Sequence, residues 1–479
     1  MSESVVATWF GRSKRHRHSR SVGPGPIGIA YVIFFVVMAL TGGSSRPDDV
    51  LLLILRPISV LCLFVILVNR SMDWRIIRTL LLMLAALAFV HVLQLVPLPP
   101  AIWKALPVGV IYGDVLRTLG EGASWRSLSV APDATWNSLV ALLVPLTTML
   151  FYVALPPESR IRMLWAILLL AAASMALGIL QFVGGEASGL YWHRVSGRGQ
   201  LIGFFTNRNH QGALLGMALP ILRAWMIQPA GQMRDRNIRL YIGLGAMAVI
   251  LVYAFVLGSR AGLALTAMGF FAAFLVDPSL GLRGWPQWQR WLLLGLICVA
   301  IAALVVVVLN ADRAVSLGRI SGVRELNEEG RLRALPALLR ILEETWSWGV
   351  GFGAFVPVYA TFEPAQLLKP TYFNHAHNDL IELAITGGVP GLLIFGTFFL
   401  WVAQSLFRAF RHENGRDFPT ALGRAAAFAI VIAFAASLTD YPLRTPLMSS
   451  VFAVLCCCLA SRPDAIGNVS RTGSARHSR

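Results

Sequence analysis

Runs of about twenty apolar residues recur along most of this chain, and they constrain its fold more than any other feature. Residues 78–97 and 163–183, for example, contain only one charged side chain between them, Arg78. A helix of about 20 apolar residues spans a bilayer because it satisfies its own backbone hydrogen bonds. Only 14% of the 479 residues are charged, against about 25% in soluble domains. The sequence therefore predicts an all-α polytopic membrane protein and excludes a soluble or disulfide-stapled one.

A sliding window of that length predicts about twelve transmembrane helices. The predicted spans are residues 26–42, 49–68, 78–97, 136–155, 163–183, 209–227, 240–257, 261–276, 291–309, 379–403, 425–441 and 445–460. Only Ser259, Arg260 and Ala261 separate the seventh span from the eighth. This pair is either a tight hairpin or one broken helix.

Basic residues predict the orientation, because cytoplasmic segments carry the excess of Lys and Arg. The first 25 residues hold five basic side chains, so we expect this basic tail, and a disordered tail at 461–479, in the cytoplasm. Spans one to nine then occupy 26–309, and spans ten to twelve occupy 379–460. The connections near 98–135 and 184–208, and one large loop at 310–378 with short helices, face the periplasm. The first apolar run has no cleavage site behind it, which favours a span over a signal peptide.

The chain has a net charge of +17, and all but three of its 41 basic residues are arginine. They are spread over loops and tails, which indicates membrane lipids and phosphate-bearing substrates rather than nucleic acid. The five cysteines lie within apolar runs and predict neither a disulfide framework nor a metal site.

Arginines on the predicted periplasmic side indicate an anion site. Arg260 lies in the turn GSRAG, where a snorkelling helix end would also explain it. Arg331, Arg333 and Arg340 belong to the segment GRLRALPALLR, which also suits an interfacial helix held by lipid phosphates. Guanidinium groups bind phosphates through paired hydrogen bonds, so these arginines match a diphosphate substrate.

The run FNHAHNDLIELAITGGVPG, residues 373–391, begins the tenth span. Asp379 and Glu382 have the spacing of a capping box that opens a helix. The glycines that follow, with Pro390, predict a break in that helix.

His375 and His377 have no such structural explanation. An imidazole outside the membrane is a suitable general base, because its ordinary pKa lies near neutral pH. His377 is favoured because the helix follows it directly, whereas His375 is expected to be freer in the loop and a spectator. A metal site completed by His193 or His210 is the weaker alternative.

A further polar segment, FFTNRNHQGALLG, begins the sixth span. Asn209 there would serve as a helix cap. The placement of the segment on the same outer surface as Arg260 and His377 predicts a shared site.

Together these segments resemble the O-antigen ligase and O-antigen polymerase superfamily of bacterial envelope glycosyltransferases. The resemblance covers most of the chain from about Ser127 onward, in SLSVAPDATWNSLVALL, FFTNRNHQGALL and GSRAG. Its sharpest match is His377 with Asn378, nine residues, Gly388, two residues and Gly391.

The resemblance implies an inner-membrane enzyme that moves a glycan from undecaprenyl pyrophosphate to an acceptor sugar hydroxyl in the periplasm. It implies His377 as the general base, Arg260 as the turn arginine, and Arg331, or alternatively Arg333, as the loop arginine. We expect neither a metal nor another cofactor, and inversion at the anomeric carbon. Further substrate contacts are expected from Asn207, Arg208, Asn209, Asn378 and His375.

The acceptor stays open between a lipid A core, a growing glycan and a protein hydroxyl, which would make the enzyme a ligase, an O-antigen or exopolysaccharide polymerase, or an O-oligosaccharyltransferase. From another class, a transporter of anions or glycan precursors would place ionisable residues near the membrane midplane. Only Arg56 and His91 lie within spans in that way. A non-catalytic scaffold would leave the arginines and histidines unexplained.

Overall fold

A computed structural model describes residues 25–68, 72–229, 233–277, 288, 325–368, 373–411 and 418–461. Two short strands, β1 (Pro97–Leu98) and β2 (Arg126–Ser127), pair antiparallel within this part of the chain. The remaining regular structure is helical. The helices are α1 (Pro26–Thr41), α2 (Leu52–Val68), α3 (Arg78–Leu95), α4 (Pro100–Trp103), α5 (Pro107–Thr118), α6 (Pro132–Ala141), α7 (Leu143–Ala154), α8 (Pro157–Val183), α9 (Arg208–Met226), α10 (Met233–Val256), α11 (Arg260–Val276), α12 (Glu325–Thr345), α13 (Phe355–Phe362), α14 (Asp379–Arg411), α15 (Phe418–Ser437) and α16 (Pro446–Ala460).

The protein is a multi-pass helical membrane protein. Within the described residues, six helical stretches are long and apolar enough to cross a membrane, namely α3, α6 with α7, α8, α10, α14 and α15. Helices α1, α2, α11 and α16 are apolar but shorter. The predicted ninth span, 291–309, lies outside the described residues, so the number twelve stays a prediction.

Helix α9, which corresponds to the predicted sixth span, forms the centre of the molecule. Every residue from His210 to Ala224 is buried, and α8, α10, α11 and α15 pack around the helix. Glycines allow α11 to approach closely: a Cβ on Gly212 would lie 2.4 Å from Cα of Gly262. Such small residues are typical of helix packing inside membranes.

The open question about the seventh and eighth spans is settled in favour of a hairpin. Gly258 has φ +63°, a left-handed conformation that glycine adopts without strain. Ala254 on α10 and Leu263 on α11 belong to one buried cluster, which requires the chain to fold back on itself.

Several connecting segments come together at one end of the bundle, which we call the loop end: residues 42–51, 96–131, 184–207, 346–368 with 373–378, and 438–445. The amide of Thr206 donates to the carbonyl of Gly43 (3.3 Å), and the amide of Val130 donates to the carbonyl of Val350 (3.0 Å). At the opposite end, Arg223 pairs with Asp277 at 2.9 Å. The described parts of the segments predicted to face the periplasm thus share one end; which side of the membrane that end faces stays a prediction.

The predicted break in α14 lies at Gly388, with φ +57° and ψ −155°. The segment 347–353 packs into this kink, and a Cβ on Gly388 would lie only 2.5 Å from the amide nitrogen of Gly349. The amides of Val350 and Gly351 donate to the carbonyls of Ile385 and Thr386, at 3.0 and 3.1 Å. The carbonyls that a kink takes out of the helix are therefore satisfied by another segment.

Both caps expected from the sequence are corrected. Asn378 caps α14, because its Oδ1 accepts from the amides of Leu380 and Ile381 at 3.0 and 3.1 Å. Glu382 forms no capping box with Asp379, since it accepts instead from the amide of Ala376. A larger network, described below, draws this carboxylate out of the helix.

At α9 the cap is Asn207 rather than Asn209. The Asn207 side chain accepts from the amide of Asn209 at 2.9 Å, and the helix begins at Arg208. The side chain of Asn209 is therefore available for contacts outside its own helix.

Candidate active site

A buried carboxylate, Asp440, is the centre of a polar cluster at the loop end. It follows α15 and is 2% exposed. Its Oδ2 accepts from the side-chain amides of Asn207 (2.8 Å) and Asn209 (2.7 Å), and its Oδ1 accepts from the amide of Tyr441 at 3.1 Å. Three donors thus compensate the buried charge, which would otherwise be costly.

His377 lies directly before α14 and faces this carboxylate. Its Nδ1 is 3.3 Å from Oδ1 of Asp440, and its ring lies between Tyr441 and Phe373, with centroids 5.0 and 5.3 Å away. A carboxylate at Nδ1 favours the tautomer with its proton there, so that Nε2 carries the lone pair that can accept a proton. The side chain is 16% exposed, so the ring is reached from the loop end.

Backbone strain also marks His377. Its φ is +52°, and among the described residues no other non-glycine residue has a positive φ. This conformation costs a non-glycine residue about 1–2 kcal/mol, and such residues cluster at functional sites.

The turn arginine is connected to this cluster through its neighbour. Ser259 donates to Oδ1 of Asn209 at 2.7 Å and caps α11 by accepting from the amide of Gly262 at 2.8 Å. Arg260 is the exposed first residue of α11. Two hydrogen bonds therefore separate the start of this helix from Asp440.

Arg208 is the first residue of α9, as Arg260 is of α11. A Cβ on Gly258 would lie 3.8 Å from its Nη1, so its guanidinium lies beside the α10–α11 hairpin. Helix N-termini carry partial positive charge and bind anions, so two such ends with two arginines can hold a diphosphate.

His375 belongs to a second polar network next to His377, so the prediction that it is free in the loop is wrong. Nδ1 of His375 is 3.0 Å from Oε1 of Glu382, and its ring is 4.2 Å from that of Tyr441. Arg444 binds Glu382 at 3.1 Å and Asp379 at 2.7 Å. Burial lowers the pKa of the Arg444 guanidinium, but these two carboxylates outweigh it and raise that pKa, so the arginine stays charged.

The loop arginines lie on α12, which packs beside the site. Ala334 and Ala337 of this helix share a buried cluster with Phe373 and Ala376, which flank His375 and His377. Arg333 is exposed on α12. The side chain of Arg331 lies outside the described part of the structure, so the choice between these two arginines stays a prediction.

Three other predicted residues, Asn378, His193 and His210, have their partners within the protein. Asn378 caps α14 and also donates to the carbonyl of Leu438 at 3.1 Å, so both of its polar atoms have partners. His193 pairs with Asp49 at 2.9 Å, apart from the cluster, whereas His210 is fully buried with Nε2 4.0 Å from Oδ1 of Asp440. His193 therefore does not complete a site with His375 and His377.

Sequence reasoning did not single out Asp440, Ser259 or Arg444. The signal for Asp440 was present in the motif LTDYP, where a carboxylate separates two apolar spans. An ionisable side chain in that position is by default a functional hypothesis.

The structure is therefore that of a membrane-embedded protein with a histidine–aspartate pair beside the N-termini of α9 and α11, which carry Arg208 and Arg260. Residues 245–396 match a family model described as O-antigen ligase. The match includes Arg260, Arg331, Arg333 and His377, and it confirms the resemblance to the O-antigen ligase superfamily. The family indicates a glycosyltransferase of the ligase or polymerase type. No curated protein matches the chain.

Proposed function

We propose that the protein transfers a glycan from undecaprenyl pyrophosphate to an acceptor sugar hydroxyl, and that the loop end faces the periplasm. The observation that carries the proposal is the pairing of His377 with Asp440 beside the arginine-bearing starts of α9 and α11. The identity of the donor, the identity of the acceptor and the side of the membrane that the loop end faces are all parts of this proposal.

His377 acts as the general base. Nε2 takes the proton of the acceptor hydroxyl as its oxygen bonds to the anomeric carbon of the donor sugar. The bond from that carbon to the diphosphate oxygen breaks, and undecaprenyl pyrophosphate leaves with the electron pair. Asp440 holds the ring in position and stabilises the imidazolium that forms, as a carboxylate does in a catalytic triad.

Arg260, with Arg208 and one arginine of α12, holds the diphosphate. Negative charge grows on the leaving oxygen in the transition state, and preorganised cationic donors stabilise it there. These arginines bind and activate the leaving group, and the reaction needs no metal. Attack from the face opposite the diphosphate gives inversion at the anomeric carbon.

Replacing His377 tests the proposal. His377→Asn keeps a residue that tolerates a positive φ but removes the base, and His377→Ala removes both features. We expect each variant to lower the transfer rate about 10²–10⁴-fold, because that is what a positioned base contributes. Transfer from a carrier-linked glycan is measured with purified protein in liposomes.

His375→Ala is the comparison, because this histidine contacts Glu382 and Tyr441 rather than Asp440. We expect its transfer rate to fall less than about tenfold. Normal transfer by His377→Asn, at the wild-type level of folded protein, would refute the role of His377. A larger loss in His375→Ala than in His377→Asn would move the base to His375.

A further inference from the structure

Arg56 lies on the outer surface of the bundle, away from the cluster around Asp440. It is the fifth residue of α2, about 6 Å along the axis from the start of that helix at the loop end. Its neighbours on α2 are exposed apolar residues such as Leu53 (74% exposed) and Ile54 (51%). The side chain is half-buried, and its Nη2 donates to Oδ1 of Asn137 on α6 at 2.5 Å.

This arrangement leaves the positive charge of Arg56 uncompensated. Asn137 is neutral, and no carboxylate of the described residues forms an ion pair with the guanidinium. A guanidinium has five N–H donors, of which this contact uses one. A charge among lipid-facing side chains is costly unless it meets an opposite charge, and at this depth the phosphate of a lipid supplies one.

The function of this charge depends on how Arg56 is connected to the helix that follows His377. Thr135 on α6 donates to the carbonyl of Phe352 (2.8 Å), and Gln94 on α3 donates to the carbonyl of Thr386 on α14 (2.9 Å). Helix α3 thus packs against the kinked part of α14, and α6 packs against the segment 347–353 that fills the kink.

Helix α14 also packs against α15, which contacts α9, which in turn contacts α11. Arg208 and Arg260 begin α9 and α11. Helix α14, which His377 precedes, is therefore connected to two separate cationic groups through different helices: to Arg56 through α3 and α6, and to Arg260 with Arg208 through α15.

We infer that Arg56 and Asn137 hold the phosphate of the lipid-anchored acceptor, while the arginines of α9 and α11 hold the donor diphosphate. This inference rests on the proposed function. Two lipid-anchored substrates reach the protein laterally within one leaflet, and they need separate approaches to a common base. The two separate cationic groups, which are connected to α14 through different helices, provide them.

The ligand class is a phosphorylated lipid of the loop-end leaflet. A lipid A core carries phosphate on its sugars, and a second undecaprenyl-linked glycan carries a diphosphate. Both present the same chemistry to the guanidinium, so the site does not depend on which acceptor is used.

Lipid binding tests the inference without requiring turnover. The full chain in neutral phosphatidylcholine nanodiscs is given lipid A core or, in a parallel arm, a glycan on undecaprenyl diphosphate, each beside its dephosphorylated form. Bound lipids are counted by native mass spectrometry. The variant is Arg56→Gln, and the matched control is Arg162→Gln, an exposed arginine at the opposite end of the bundle.

In one of the two arms, with lipid A core or with the glycan on undecaprenyl diphosphate, we expect phosphate-dependent binding to fall about tenfold in Arg56→Gln. In Arg162→Gln we expect this binding to be unchanged. In transfer assays the KM for the acceptor should rise about tenfold, with the KM for the donor and kcat near their wild-type values. Unchanged binding in both arms would overturn the inference.

Phosphatidylglycerol separates a substrate site from a site for bulk anionic lipid. If it displaces the bound lipid at equal concentration, the inference is overturned. A wild-type protein that binds two phosphorylated lipids but transfers no glycan would contradict the proposed function alone. Normal transfer with unchanged binding by Arg56→Gln would contradict this inference alone.

Discussion

The carboxylate of Asp440 accepts from two amides through Oδ2 and faces Nδ1 of His377 through Oδ1. Replacing it by asparagine keeps the size of the side chain and reverses this last contact. The new oxygen would accept from Asn207 and Asn209, so the new NH₂ group would take the place of Oδ1. It would donate to Nδ1 of His377 and lose the hydrogen bond from the backbone amide of Tyr441. The ring would then carry its proton on Nε2, the nitrogen that has to accept one.

For Asp440→Asn we therefore expect a loss of about 10²–10⁴ in transfer rate with the fold retained. Initial rates are measured with wild-type levels of folded protein in the membrane. His193, which pairs with Asp49 outside the site, provides the control: Asp49→Asn reverses a similar contact and should leave the transfer rate within a few-fold. Similar losses in the two variants would mean that Asp440 only supports the fold.

At the scale of residues, the sequence could identify His377 and Arg260 as candidates but not the carboxylate at the centre of the cluster. His377 and Arg260 follow from residue type and position beside a span. Asp440 is 63 positions away from His377, and their contact depends on how α14 packs against α15. The error about His375 has the same origin, because Arg444, from the connection after α15, binds the glutamate that holds His375.

At the scale of elements, the kink of α14 depends on one residue, Gly388. The positive φ of Gly388 disfavours any side chain, and a Cβ would press on the backbone of the segment 347–353. We expect Gly388→Ala to destabilise the protein by at least about 2 kcal/mol and to lower its melting temperature in detergent by several degrees.

Gly396 on the same helix is the matched control, because a Cβ there would meet nothing within 4 Å. Gly396→Ala should leave the melting temperature unchanged or slightly higher, since alanine favours helix. Equal melting temperatures for the two alanine variants would show that α14 tolerates a side chain in its kink.

The same helix shows what local patterns can predict about an element. Two glycines and a proline predict a break, and the structure has one. What fills the break comes from residues 347–353, about forty positions earlier in the chain, and no local rule identifies it. The capping-box spacing of Asp379 and Glu382 was misleading, because Arg444 and the amide of Ala376 outcompete the helix terminus for the glutamate.

For the whole molecule, hydropathy predicts the helices because the bilayer leaves few alternatives. Ten of the predicted spans coincide with apolar helices in the described part of the chain. Helix α9 differs in character: it carries Asn209, His210 and Gln211 and is wrapped by four other helices. Its polar residues face protein rather than lipid, which a window average along the sequence does not distinguish.

The orientation in the membrane is the remaining property of the whole molecule, and the proposed reaction depends on it. Three arginines lie in the first two turns of α10, at the end of the bundle opposite the site: Arg234, Arg236 and Arg239. Basic residues near short connections stay on the cytoplasmic side, so the loop end should face the periplasm. Single cysteines at exposed positions report this: Ala123→Cys and Leu368→Cys at the loop end, and Glu158→Cys and Arg236→Cys at the other.

In spheroplasts, a membrane-impermeant maleimide should label the loop-end pair, and it should reach the other pair only after permeabilisation. Cys62 and the cysteines at 456–458 are buried, which keeps their background low, and the unmodified chain measures the remainder. If Arg236→Cys were labelled in intact spheroplasts and Ala123→Cys were protected, the orientation of the protein would be the reverse of the one proposed. His377 and Asp440 would then face the cytoplasm, and transfer to a periplasmic acceptor would be impossible whatever the chemistry of the pair.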